Sequence, residues 1–170
     1  STVKVAGENS PKGGFSENDL AKPEDAYGQS KWEAEQALNE IAQTTDMEVV
    51  ILRPPLVYGP GVKGNFISLF NAIQKGRRLP LGIIQNSRSL LYVENLADVI
   101  AIAVEHTNAG NKTFFVSDTE AVSTPTLVKK IAGALDTAPR LINFPLGLLK
   151  FAGVLTGKSA AIRRLTGSLT

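Results

Sequence analysis

Tyr27 and Lys31 stand four residues apart in the segment Tyr27-Gly28-Gln29-Ser30-Lys31. That spacing places a phenol and an ammonium one helical turn apart on the same face. Tyr27, Lys31, Ala34, Leu38 and Ile41 follow one another in steps of four and three, which predicts the buried stripe of an amphipathic helix running from Tyr27 to Gln43. Glu33, Gln36, Glu40 and Gln43 fall on the opposite side. A lysine on an apolar stripe needs a partner or a task. A phenol is a poor base near pH 7, its reference pKa being about 10, but an adjacent ammonium stabilises the phenolate and makes the oxygen a usable proton shuttle. The plain alternative is a lysine that lays its stem along the surface and keeps its charge in water. One such pair also arises readily by chance, so the pair alone decides nothing.

Other chemistries have less support. Without cysteine there is no disulfide framework and no thiolate metal site, which points to a cytoplasmic setting rather than a secreted one. The single histidine, His106, follows an apolar helix-like run and reads as a surface residue, so Ser-His catalysis and a metal centre drop out. A net charge of +2 is too small to imply a nucleic-acid partner. Apolar content of 43% with 20% charged residues is that of an ordinary globular chain. The most apolar stretch, Phe144 to Leu155, is interrupted by Gly147, Lys150 and Gly153 and does not approach a membrane-spanning run. Phe144 to Leu165, with its leucines and two arginines, reads as two packed helices rather than as a membrane contact.

The elements that must position Tyr27 and Lys31 alternate between strand and helix, which argues for an α/β fold. Thr2 to Ala6 reads as the end of a strand and Gly7 to Pro23 as a polar loop. Asp25 is the expected cap of the Tyr27 helix, which fades at Thr44-Thr45-Asp46. Val49 to Leu52 reads as a parallel strand, and Arg53 to Gly61, with three prolines and two glycines, as a loop. A loop leaving the C-terminal end of a parallel strand is where open α/β sheets bind ligands. Asn65 caps a helix to Lys75 that Gly76 closes; Leu81 to Ile84 and Ser89 to Val93 read as short strands. Asn95 opens a helix with Leu96, Val99, Ile100 and Ala103 inward, Thr113 to Val116 is a strand, and Thr124-Pro125 starts a helix to Leu135. Helical segments follow from Leu146 to Leu165.

With these residues in view, the chain resembles the extended short-chain dehydrogenase/reductase family, in particular its NAD-dependent nucleotide-sugar epimerase/dehydratase group. The resemblance rests on Ser1 to Gly7, Tyr27-x-x-x-Lys31, Leu52-Arg53-Pro54 through Val57-Tyr58-Gly59-Pro60, Asn65, and Arg88 followed by Leu96-Ala97-Asp98. These occur in the family's order over nearly the whole chain, and the interval from Thr2 to Tyr27 is the family's own. The resemblance implies the last part of a Rossmann-type NAD(P)-binding domain, residues 1–60, and a small α/β lobe for the nucleotide sugar, residues 61–170. It implies that Tyr27 is the acid/base at a sugar hydroxyl, that Lys31 holds the nicotinamide ribose, and that Thr2 hydrogen-bonds the same sugar oxygen. Pro54 would lie against the nicotinamide, while Asn65 and Arg88 would grip the diphosphate, a task suited to the paired donors of arginine. For Asn65 a purely capping role is an equal reading, and Arg88 also reads as a surface arginine at a strand end.

Three departures bear on function. No G-x-x-G-x-x-G occurs in the chain, so it reads as the C-terminal portion of a longer enzyme, on its own inactive. Leu56 stands where many relatives have asparagine. Val3 and Lys4 follow Thr2 where the 4,6-dehydratases carry acids; loss of water needs an acid and a base, so a dehydratase is disfavoured. The expected activity is that of a UDP-sugar 4-epimerase, or of a closely related 4-reductase or dehydrogenase, using NAD, with NADP left open. The alternatives are a reductase of a non-sugar alcohol or ketone, against which the Asn65 and Arg88 pair argues, and a non-catalytic dinucleotide-sensing protein. A homodimer paired through the Tyr27 helix is also expected from the resemblance.

Overall fold

The apolar run after Glu48 becomes strand β1, Val50–Arg53. A computed structural model describes residues 1–157 and 159–170, except for the side chain of Ala160. The chain divides into two compact units. The first holds residues 1–60, 89–120 and 169–170, and the second holds residues 61–88 and 121–168.

In the first unit β1 pairs in parallel with β4, Lys112–Phe115, in the register Val50↔Lys112 to Arg53↔Phe115. A second parallel pair joins β2, Leu56–Tyr58, to β3, Leu90–Tyr92. Parallel neighbours need long crossovers, which is why the chain leaves this unit and returns. Strand β2 lies inside the stretch predicted as a loop. Pro54, Pro55 and Pro60 flank it, and Leu56, Val57 and Tyr58 keep their amide donors. The expected strand from Thr2 to Ala6 is instead a 3-10 turn, Val3–Val5. Val5 and Ala6 donate back to the carbonyls of Thr2 and Val3, while the Val3 amide reaches the Pro54 carbonyl at 2.9 Å. Val3, Val5, Val49, Ile51, Leu90 and Leu91 form the apolar interior.

Helix α1, Ala26–Thr44, starts as predicted at Asp25, whose carboxylate accepts from the Gly28 amide at 2.7 Å. Its inner face differs from the predicted stripe. Only Gly28 and Glu35 are buried, whereas Ala34, Leu38 and Ile41 are exposed and Tyr27 is 53% exposed. An ion pair draws Glu35 inward, and the glycine lets the first turn approach the Lys4 carbonyl; together they turn the helix away from its apolar line. Helix α3, Val93–Glu105, begins directly after β3 rather than at Asn95. Leu96, Val99 and Ala103 are half-buried on it, but Ile100 is exposed.

The second unit is helical. Helix α2, Asn65–Gln74, is capped by Gly64 at φ 72, so Asn65 is its first residue and not its cap. Gly76 follows its end as predicted. Helix α4, Thr124–Ala134, takes Ser123 as cap, one residue before the predicted one, with Pro125 in the first turn. Helices α5, Leu146–Leu155, and α6, Ser159–Thr166, complete it. Leu81 to Ile84 forms a turn instead of a strand; Leu81 and Ile84 are still core residues, packed with Ile73, Val128, Ile131 and Ala132. Each such large side chain contributes about 1.5–3 kcal/mol by leaving water. Buried Asn86 fastens this unit: its amide nitrogen donates to Thr124 Oγ1 and to the carbonyls of Leu165 and Gly167, and its oxygen accepts from the Thr124 amide. No helix among the described residues is long and apolar enough to cross a membrane.

Candidate active site

The first unit brings four of the six predicted site residues onto three adjoining segments. Thr2 is buried at the cap of the 3-10 turn, its hydroxyl accepting from the Lys4 amide at 3.4 Å. The next residue, Val3, is bonded to the Pro54 carbonyl at the end of β1. Helix α1 then presents Tyr27 and Lys31 in its first two turns, and the Lys31 ammonium lies 5.6 Å from the centroid of the Tyr27 ring, within cation–π range. Among the described residues Lys31 enters no ion pair, so its donors are available to a ligand.

Gly28 sets how closely α1 seats. A β-carbon there would lie 2.9 Å from the Lys4 carbonyl oxygen, closer than such atoms approach. The same junction carries a small charge cluster in which the Lys4 ammonium bonds to both Glu8, at 2.5 Å, and Asp25. Burial by itself would lower the Lys4 pKa; the hydrogen bonds to Asp25 and Glu8 outweigh it and raise that value. Asp25 is held below the usual carboxylate range, first by Lys4 and then by the Gly28 amide. The result is a charged, correctly oriented cap two residues before Tyr27.

The pattern of types and spacing missed two further groups. Glu35 and Arg53 form a buried bidentate ion pair, Nε to Oε1 at 3.0 Å and Nη2 to Oε2 at 2.6 Å. Ser1 Oγ donates to the same Glu35 Oε1. The one available signal was a glutamate one turn past Lys31 on its own face. The second group centres on Asp118, whose carboxylate accepts from the Tyr58 hydroxyl at 3.0 Å, the Asn95 amide at 2.8 Å and the Tyr92 backbone amide at 3.2 Å. Burial pushes the Asp118 carboxyl up, but these donors together hold it below its ordinary value, and burial next to that carboxylate raises the Tyr58 phenol.

Asn65 and Arg88 belong to the second unit. Asn65 is exposed at the start of α2, and the Arg88 guanidinium donates to the carbonyls of Arg164 and Gly167. Pro54 also borders an open groove of about 650 Å³ between β1 and α3, walled by Val50, Leu52, Leu96 and Ile100; Thr2, Tyr27 and Lys31 do not line it.

A family profile described as the NAD dependent epimerase/dehydratase family matches residues 1–116. The chain is 47% identical to a UDP-glucose 4-epimerase from Vibrio cholerae, over 99% of its own length and 52% of that protein. It is 29% identical to the N-acetyl-alpha-D-glucosaminyl-diphospho-ditrans,octacis-undecaprenol 4-epimerase of Escherichia coli O157:H7, over 95% of its own length and 51% of that protein. It thus spans about half the length of the curated relatives it matches. A crystal structure of UDP-glucuronic acid 4-epimerase from Bacillus cereus in complex with NAD superposes with a TM-score of 0.73 at 22% identity, covering 84% of this chain and 48% of that one. At that identity the likeness speaks for the Rossmann-type α/β fold.

Proposed function

Since the chain belongs to the NAD dependent epimerase/dehydratase family, we propose that the whole protein inverts the C4 configuration of a UDP-sugar, with Tyr27 as the proton-transfer group. The observation that carries this reading is the Lys31 ammonium beside the Tyr27 ring, on a helix seated against the Thr2 turn. The unpaired donors of Lys31 and the adjoining Pro54 segment suit the ribose and nicotinamide of NAD. When bound, NAD supplies the acceptor and later the donor of the C4 hydride. The chain's own residues handle the proton. The Tyr27 oxygen takes it from the sugar O4 as the C4–H bond breaks, giving a 4-keto sugar, and returns it when C4 regains hydride on its opposite face. Atoms and electrons balance with no net redox change. Thr2 holds the same oxygen in place, and the Lys31 ammonium stands beside the Tyr27 ring. Asn65 and Arg88 serve the diphosphate, and a homodimer through α1 accompanies this reading.

The test uses the whole protein with UDP-glucose, UDP-N-acetylglucosamine and NAD⁺. Epimer formation without net 340 nm absorbance, lost in Tyr27→Phe, supports an epimerase. Steady NADH accumulation places the protein among the dehydrogenases instead. Silence on every nucleotide sugar, with no thermal shift on adding UDP, sinks the reading.

A second reading concerns the carrier of the sugar. The similar Escherichia coli protein is named for an undecaprenol-linked sugar, and α5 here exposes Leu148, Phe151, Val154 and Leu155. Such a face suits a polyprenyl chain. Faster epimerisation of undecaprenyl-diphospho-N-acetylglucosamine than of its UDP counterpart favours this reading.

A further inference from the structure

The three segments that carry Thr2, the Tyr27–Lys31 pair and Pro54 converge on one buried carboxylate. Glu35 is 2% exposed and Arg53 5%. Ser1, which bonds Glu35 Oε1, immediately precedes Thr2. Glu35 follows Lys31 by one turn and Tyr27 by two, on the same side of α1. Arg53, which grips both Glu35 oxygens, immediately precedes Pro54. Apart from Gly28, Glu35 is the one buried residue of α1. The helix is therefore held at this point by a directional polar contact and not by an apolar seam that would tolerate sliding.

A buried ion pair is a poor way to gain stability, because desolvation offsets most of the attraction. A bidentate arginine fork does fix angle and distance together. Its guanidinium carbon also lies 5.5 Å from the centroid of the Phe115 ring, within cation–π range. We infer that Glu35, locked by Arg53 and Ser1, is the positioning residue of the site: it sets the rotation and axial height of α1, and so the placement of Tyr27 and Lys31 relative to Thr2 and Pro54. This rests on the epimerase reading above and assigns Glu35 no contact with substrate or cofactor.

The experiment uses the whole protein and compares wild type with Glu35→Gln, Arg53→Lys and the double variant Glu35→Leu/Arg53→Met. Each is read by melting temperature, by kcat and KM for the UDP-sugar, by NAD⁺ affinity in fluorescence titration, and by amide exchange over residues 27–35. The single variants leave a buried partner unsatisfied, so they should melt lower, and kcat should fall about a hundredfold, as for a misplacement near 1 Å, with little change in KM. The apolar pair should restore the melting temperature while kcat and NAD⁺ affinity stay depressed and exchange at residues 27–35 stays fast.

A double variant that regains both stability and kcat shows the pair to be a plain structural contact and overturns the inference. Single variants that melt lower with unaltered kcat do the same. Should the double variant fail to fold, the split between kcat and KM in Glu35→Gln decides. Wild-type protein that binds NAD⁺ without epimerising anything fails the epimerase reading alone, and the NAD⁺ affinities of the variants then decide this one. Wild type that does neither removes both.

Discussion

Tyr27 and Gly28 make opposite demands on a substitution. The Tyr27 ring is 53% exposed and its hydroxyl has no protein partner among the described residues. Tyr27→Phe should therefore stay within about 0.5 kcal/mol of wild type in denaturant unfolding. Under the epimerase proposal, removing this oxygen should cost turnover about 10²–10⁴-fold, measured as epimer formed by the whole protein. Gly28→Ala sets two effects against each other. Alanine in place of glycine favours a helix by about 1 kcal/mol. The new methyl group, however, would sit 2.9 Å from the Lys4 carbonyl oxygen, which is backbone and cannot swing aside. Overpacking of that kind costs about 1–3 kcal/mol, so the melting temperature should fall, and activity with it as Tyr27 is displaced. A rise in melting temperature would show that the turn yields freely. Local geometry was legible in the sequence: the spacing of Tyr27 and Lys31 sets them side by side on α1, and Asp25 caps the helix that follows it. Glu35 was not legible, because a helical glutamate reads as solvent-facing and its partner Arg53 lies 18 positions away.

At the scale of elements, Asp118 is a four-point junction. One carboxylate receives the β2 side chain Tyr58, the β3 backbone at Tyr92 and the α3 side chain Asn95, while its own amide donates to the Leu90 carbonyl. Asp118→Asn replaces one acceptor oxygen by a donor that faces donors, so it should cost about 1–3 kcal/mol at pH 7. Because the folded carboxyl is held below its ordinary value, its contribution is present above the unfolded pKa of about 3.9 and is lost as pH falls through the folded value. The gap between wild type and Asp118→Asn in urea unfolding should be full at pH 7 and shrink steadily below pH 4. A constant gap would mean that the carboxylate charge contributes nothing. Helix existence and order were legible here, because 3.6-residue periods and end signals are local. Strand β2 was not, since its pairing with β3 comes from 34 residues later in the chain, at Leu56↔Leu90. The 3-10 turn at Val3 was hidden for a related reason: alternating valines fit a strand, and only the hydroxyl of Thr2 and the Pro54 carbonyl select the turn.

At the scale of the whole chain, the telling quantity is the apolar surface exposed on one helix of each unit. Helix α3 leaves Ile100, Ile102 and Val104 in solvent, Val104 at 82% exposure. Helix α5 leaves Leu148, Phe151 and Leu155 in solvent, the last two at 63% and 71%. Isolated exposed apolar residues are ordinary, but residues grouped on one face drive association. Those on α5 recur at steps of three and four, so they form one stripe; Ile102 and Val104 are two apart and diverge around α3. Of these two faces, the one on α5 should contribute more, in addition to the pairing through α1 proposed for the whole protein. We expect this 170-residue chain, examined by sedimentation velocity over a range of concentrations, to self-associate reversibly. Phe151→Gln with Leu155→Gln should weaken that association far more than Ile102→Glu with Val104→Glu. Both pairs should leave the melting temperature close to wild type, because exposed side chains contribute little to either core. If the α3 pair had the larger effect, the apolar contacts would have to run through the groove beside β1, with Leu96 and Ile100 as its wall, and the stripe on α5 would be incidental.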